Sequence, residues 1–143
     1  MSIAYAVTQF EVFIQSSLIQ LINEDTRLME NAQKNIKDLS TKSIKFKKLT
    51  TDTIKHEVNS YLLDQMFHNI PKTKNIVSSI LGRKIQIDIT HACKVMDIRH
   101  DIIHRGGLKK DGDTVRLTKN IALETLNHIR QLGDSFQSEF INV

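Results

Sequence analysis

The chain is short of the residues that punctuate or staple small folds. Its 143 residues include one cysteine, one proline, five glycines and no tryptophan. A single thiol, Cys93, excludes an internal disulfide framework and fits a reducing compartment such as the cytoplasm. So few prolines and glycines argue against many short strands joined by tight turns. No apolar run approaches the roughly 18 residues of a membrane span. The opening MSIAYAVTQFEVF lacks a basic start and carries Glu11 early, so no signal peptide is expected there. No glycine-rich phosphate loop and no Ser or Cys nucleophile arrangement is found.

What remains is an ordinary single-domain composition, 40% hydrophobic and 25% charged. Basic residues number 20 against 16 acidic ones, for a formal charge of +4. That surplus permits a nucleic-acid partner without requiring one. Its distribution is uneven. Lys34, Lys37, Lys42, Lys45, Lys47, Lys48 and Lys55 face only Asp38 and Asp52 over the same stretch. Such a run is either a solvated face or a set of phosphate contacts.

Periodicity points to helices. Ile3, Val7, Phe10, Ile14, Leu18, Leu21 and Ile22 recur at three- and four-residue steps, which predicts one long helix over 3–29. The polar stretch 30–50 reads as a short helix plus loop. A second firm helix is expected over 52–68, with Ile54, Val58, Tyr61, Leu62 and Met66 inward. Residues 73–81 make a short helix that Gly82 caps. KIQIDI at 84–89 alternates like a strand but has no mate, so it is expected as an extended lead into the next helix. Thr90 caps a helix to about Arg105, and Gly106-Gly107 ends it. The segment 108–117 suits a short β-hairpin around Asp111-Gly112, and Thr118 caps a final helix. The expected fold is one all-α domain over 1–143, an antiparallel bundle of four to five helices.

The helix from Thr90 to Arg105 breaks its own pattern. At about 100° per residue, Ala92, Val95, Met96, Ile98, Ile102 and Ile103 form one broad apolar arc, and Arg99 falls inside it. A guanidinium there needs an anion, because an unpaired buried charge costs several kcal/mol on a rough scale. Two partners suit it. One is an internal Asp or Glu, and the other is a phosphate reaching a cleft. His100 and His104 lie one turn apart beside it, and imidazoles near an anion clamp can transfer protons near neutral pH. Each is equally a surface residue, and His104 also suits the helix C-terminal dipole. Asp101 and Arg105 form an i, i+4 pair that supports the helix or orients the imidazoles. A metal held by His100 and His104 is a weaker reading, since the pair lacks the neighbouring glutamate of zinc proteases. Arg99 and His104 are five residues apart, about 140° on an ideal helix. A twofold pairing of this helix with its copy would bring them together.

The string Arg99-His100-Asp101-Ile102-Ile103-His104-Arg105-Gly106-Gly107 resembles the signature of the HEPN superfamily (higher eukaryotes and prokaryotes nucleotide-binding). That pattern is an arginine, a polar residue, then a histidine with four to six residues between. The stretch 95–120 is similar to bacterial members near the RiboL-PSP group. The resemblance implies a dimerising helical bundle that cleaves RNA without a metal or other cofactor, as a toxin or phage-defence effector. It implies that Arg99 holds the scissile phosphate, that His104 moves protons, and that His100 supports the site. Lys45, Lys47, Lys48, Lys109 and Lys110 are the candidates to guide the RNA backbone. An antitoxin or other regulatory partner is implied as well. Some members carry a tyrosine shortly after the histidine that a partner adenylylates. Here Gly106 stands in that region and no tyrosine follows His104. Non-catalytic HEPN-like scaffolds and RNA- or nucleotide-binding modules form the alternative class.

Overall fold

A computed structural model describes residues 2–45, 50–104, 111–112 and 118–143, with side chains from 42 to 45 excepted. The described residues form seven helices and no strand. They are α1 (Ile3–Glu24), α2 (Thr26–Asn35), α3 (Lys37–Lys45), α4 (Thr51–Asp64), α5 (Ile70–Leu81), α6 (Thr90–His104) and α7 (Lys119–Ile141). The all-α class is as the periodicity predicts, but the helices outnumber the four to five expected.

Where one long and one short helix are expected over 3–50, local breaks make three. The long helix expected over 3–29 is interrupted at Asp25, whose extended backbone leaves the helix and whose carboxylate accepts from the Arg27 amide. That carboxylate starts α2 as an N-cap. The stretch expected as a short helix and loop carries α2 and α3 instead, separated at Ile36, whose extended backbone caps α2. Ile36 and Leu39 are buried. The second firm helix ends at Asp64 rather than 68, so Met66, expected inward, is 70% exposed. Asn69 then caps α5 with Pro71 in its first turn, where the missing N–H has no helical partner to lose.

Gly82 closes α5 at φ +70°, and a Cβ there would lie 2.9 Å from the Asn31 side chain. That proximity belongs to the α2–α5 seam, where Asn31 and Asn35 donate to the Ile80 and Ser79 carbonyls. The alternating segment 84–89 is extended without pairing into a sheet. Ile85 and Ile87 are buried while Lys84, Gln86 and Asp88 face out. Two of its backbone groups are satisfied from α5. Ser78 Oγ accepts from the Ile85 amide, and Lys74 Nζ donates to the Ile87 carbonyl at 2.9 Å. The core joins one face of every long helix, with Ile14, Leu18, Leu62, Ile80 and Phe136 fully enclosed. No helix among the described residues is long and apolar enough to cross a membrane.

Candidate functional site on α6

The site is built on the last two turns of α6. The first turns are secured from below. Asp88, rather than Thr90, supplies the capping acceptor, since its carboxylate takes the Thr90 amide proton at 3.0 Å. Those hydrogen bonds from Thr90, with smaller help from His91 and Lys74, hold the Asp88 carboxyl below its ordinary range. Ala92, Val95 and Met96 are buried and fix which way the helix faces. Cys93 is half-buried, and burial pushes its thiol up, consistent with a packing role.

Arg99 comes one turn after Val95 and Met96 and, on an ideal wheel, points between them into the molecule. It is half-buried, and its Nε is enclosed without a hydrogen-bond partner among the described residues. No carboxylate among the described residues forms an ion pair with it. The internal Asp or Glu partner weighed from the sequence is therefore not found there. The apolar arc is also less sealed than expected. Ile98 and Ile102 are half-buried, and Ile103 is 44% exposed. The core thins towards the end of α6, so the guanidinium sits where apolar cover is running out.

His100 and His104 are both exposed, with ring centroids 4.7 Å apart and planes inclined at 46°. One turn of helix brings them together, as their spacing requires. The structure does not bring Arg99 to them. The three side chains share no hydrogen bond, and on the wheel the imidazoles lie about 100° and 140° from the guanidinium. Asp101 is half-buried. Arg105, Lys47, Lys48, Lys109 and Lys110, the side chain of Lys45, and nearly all of the expected hairpin lie outside the described residues. Lys34, Lys37 and Lys55 are exposed.

A second imidazole pair escaped sequence reasoning. His91 of α6 stacks on His128 of α7 at 4.6 Å, with planes only 4° apart. Glu124 Oε1 lies 3.7 Å from His128 Nε2, and Asp88 stands beside His91. Asp88, His91 and His128, with Gln131 and Ser135, line a recess of about 230 Å³. No spacing rule links positions 91 and 128, because only the packing of α6 on α7 joins them. Among the described residues no three His, Cys, Asp or Glu side chains are grouped to hold a metal ion.

Comparison with protein-family models, with curated proteins and with solved structures returned no match. The resemblance to HEPN domains therefore rests on the residues of α6 and the segment after it.

Proposed function

We propose that this chain is a metal-independent endoribonuclease of the HEPN type, acting as a dimer and serving as a toxin or phage-defence effector in the cytoplasm. The observation that carries the reading is the half-buried Arg99, whose enclosed Nε has no hydrogen-bond partner among the described residues, on the same helix as two adjacent exposed imidazoles. A planar fork of donors with its Nε left unsatisfied suits the non-bridging oxygens of a phosphodiester.

RNA brings its own nucleophile. The 2′-oxygen attacks the adjacent phosphorus as its proton passes to an imidazole, and the 5′-oxygen leaves with a proton. The products are a 2′,3′-cyclic phosphate and a 5′-hydroxyl, and no cofactor enters. His104 carries the proton transfers, worth roughly 10²–10⁴-fold for a positioned acid or base. Arg99 stabilises the charge that builds on the phosphorane. His100 touches the His104 ring and limits its orientations. Asp101 and Arg105 support the helix end, and Lys45, Lys47, Lys48, Lys109 and Lys110 supply backbone contacts.

The angular separation of Arg99 from the histidines favours a composite site, in which α6 of one protomer faces α6 of another in an antiparallel bundle dimer. The same separation favours a second reading if no such pairing forms, namely a non-catalytic HEPN-like scaffold or RNA- or nucleotide-binding module. Purified protein incubated with total RNA in EDTA, beside Arg99→Ala and His104→Ala, decides between them. Cleavage by the wild type, lost in both variants, with cyclic-phosphate ends, supports the enzyme. Cleavage that persists in both variants, or RNA binding without cleavage by any form, overturns it.

A further inference from the structure

The outer face of α7 carries a pattern that the nuclease reading does not use. Leu123, Asn127, Arg130, Asp134, Gln137 and Ile141 follow one another at alternating steps of four and three, and all six are exposed. That spacing keeps them on one stripe along about 27 Å of helix. The stripe reads the same in both directions. About a midpoint at residue 132, Leu123 mirrors Ile141, Asn127 mirrors Gln137, and Arg130 mirrors Asp134. Apolar matches apolar, amide matches amide, and cation matches anion.

Among the described residues these polar groups find no partner. Arg130 and Asp134 are four residues apart, yet they form no ion pair with each other or with another described residue. The Asn127 and Gln137 side chains make no hydrogen bond among the described residues. Leu123 and Ile141 are 52% and 74% exposed. Beside the stripe runs a groove of about 530 Å³ between α1 and α7, floored by Phe10, Phe13 and Leu126. Gly133 leaves its α7 wall open, since a Cβ there would meet nothing within 4 Å.

We infer that α7 is a self-complementary interface on which a second copy of this chain docks, α7 against α7, antiparallel about a twofold axis near residue 132. A twofold contact uses the same patch on both partners, so each residue i that meets j is matched by j meeting i. This stripe satisfies that rule at all three mirror pairs. Arg130 of each protomer then meets Asp134 of the other, twice per dimer. A stripe with a repeat of 3.5 residues drifts by about 20° per heptad on a straight helix, which suits two helices crossing at roughly 20°. A parallel arrangement would instead place Arg130 on Arg130 and Asp134 on Asp134, and is disfavoured by like charge.

The inference rests on α7 alone and needs no RNA to test. Sedimentation or light scattering over a concentration series is run on the wild type, Arg130→Asp, Asp134→Arg and the charge-swapped double variant. All substitutions are on exposed positions, and helical content by circular dichroism confirms that each protein is folded. The α7 contact is separate from the α6 pairing of the proposed composite site, so a chain using both assembles beyond a dimer. The expected result is wild-type self-association whose α7 step is weakened roughly tenfold or more in Kd by either single change, or about 1.4 kcal/mol, and recovered in the double variant. A wild type that stays monomeric at high concentration overturns the inference. So does a dimer indifferent to both single changes, which would place the interface elsewhere and leave the α6 reading standing. A double variant as weak as the singles also overturns it. As a positional check, Leu123→Cys/Ile141→Cys protein should form intermolecular disulfides on mild oxidation, and each single cysteine should not.

Discussion

Replacing Arg99 with methionine should raise stability while abolishing RNA cleavage. The reasoning starts from the Nε that is enclosed without a partner on a half-buried side chain. Leaving a buried donor unsatisfied costs about 1–3 kcal/mol, and more for a charged group that is fully dry. Arg99 is only half-buried, so the low end applies, about 1 kcal/mol. Methionine keeps the length and apolar contacts of the arginine stem and removes the donors. For a domain of this size, a gain of about 1 kcal/mol should lift Tm by about 3–5 °C. Thermal and urea unfolding of the two proteins, monitored by circular dichroism, give the comparison, with RNA cleavage measured in parallel. The refuting outcome is a fall rather than a rise. If a carboxylate neutralises Arg99, removing the arginine strands that carboxylate and should destabilise the fold by about 3–5 kcal/mol. The sign of one measurement thus separates an internal ion pair from a cation left open to a ligand.

Two further changes test the scaffold beneath the site. Gly82→Ala should destabilise by about 1–3 kcal/mol, because an L-residue is strained at φ +70° and its Cβ would displace Asn31 from the Ile80 carbonyl; denaturant titration reads the loss. Asp88→Ala should loosen the start of α6 in a pH-dependent way. The folded carboxyl titrates below its ordinary value, so its contribution is present above about pH 4 and lost as pH falls through the lowered folded value. The Tm gap between wild type and variant should therefore close in acid, and a gap that is unchanged from pH 6 to 2 would refute this role.

The helical stripes were legible because burial selects them directly. The α1 residues Ile3, Val7, Phe10, Ile14, Leu18 and Ile22 are all buried. The Gly82 and Thr118 caps were legible for a similar reason, since each acts within its own turn. The break at Asp25 also had a local signal, an acidic N-cap residue two positions before Arg27, but the apolar stripe continuing into Leu28 and Met29 masked it. Met66 faces out because the helix that would turn it inward ends at Asp64. The 84–89 segment shows how period and pairing come apart. Its alternation is real, yet Ser78 and Lys74 take the place of a neighbouring strand.

By itself, then, the sequence determined what depends on near neighbours. It set the all-helical class, the inward stripes, the caps, the anomalous Arg99 and the closeness of His100 to His104, since a helix fixes side-chain directions from spacing alone. Tertiary structure decided what depends on distant segments meeting. It left Arg99 Nε without a partner, stacked His91 on His128 across 37 positions of chain, and turned the α7 stripe outward beside the α1 groove. Whether a polar group finds a partner is set by which helices pack against it, and local periodicity carries no record of that choice.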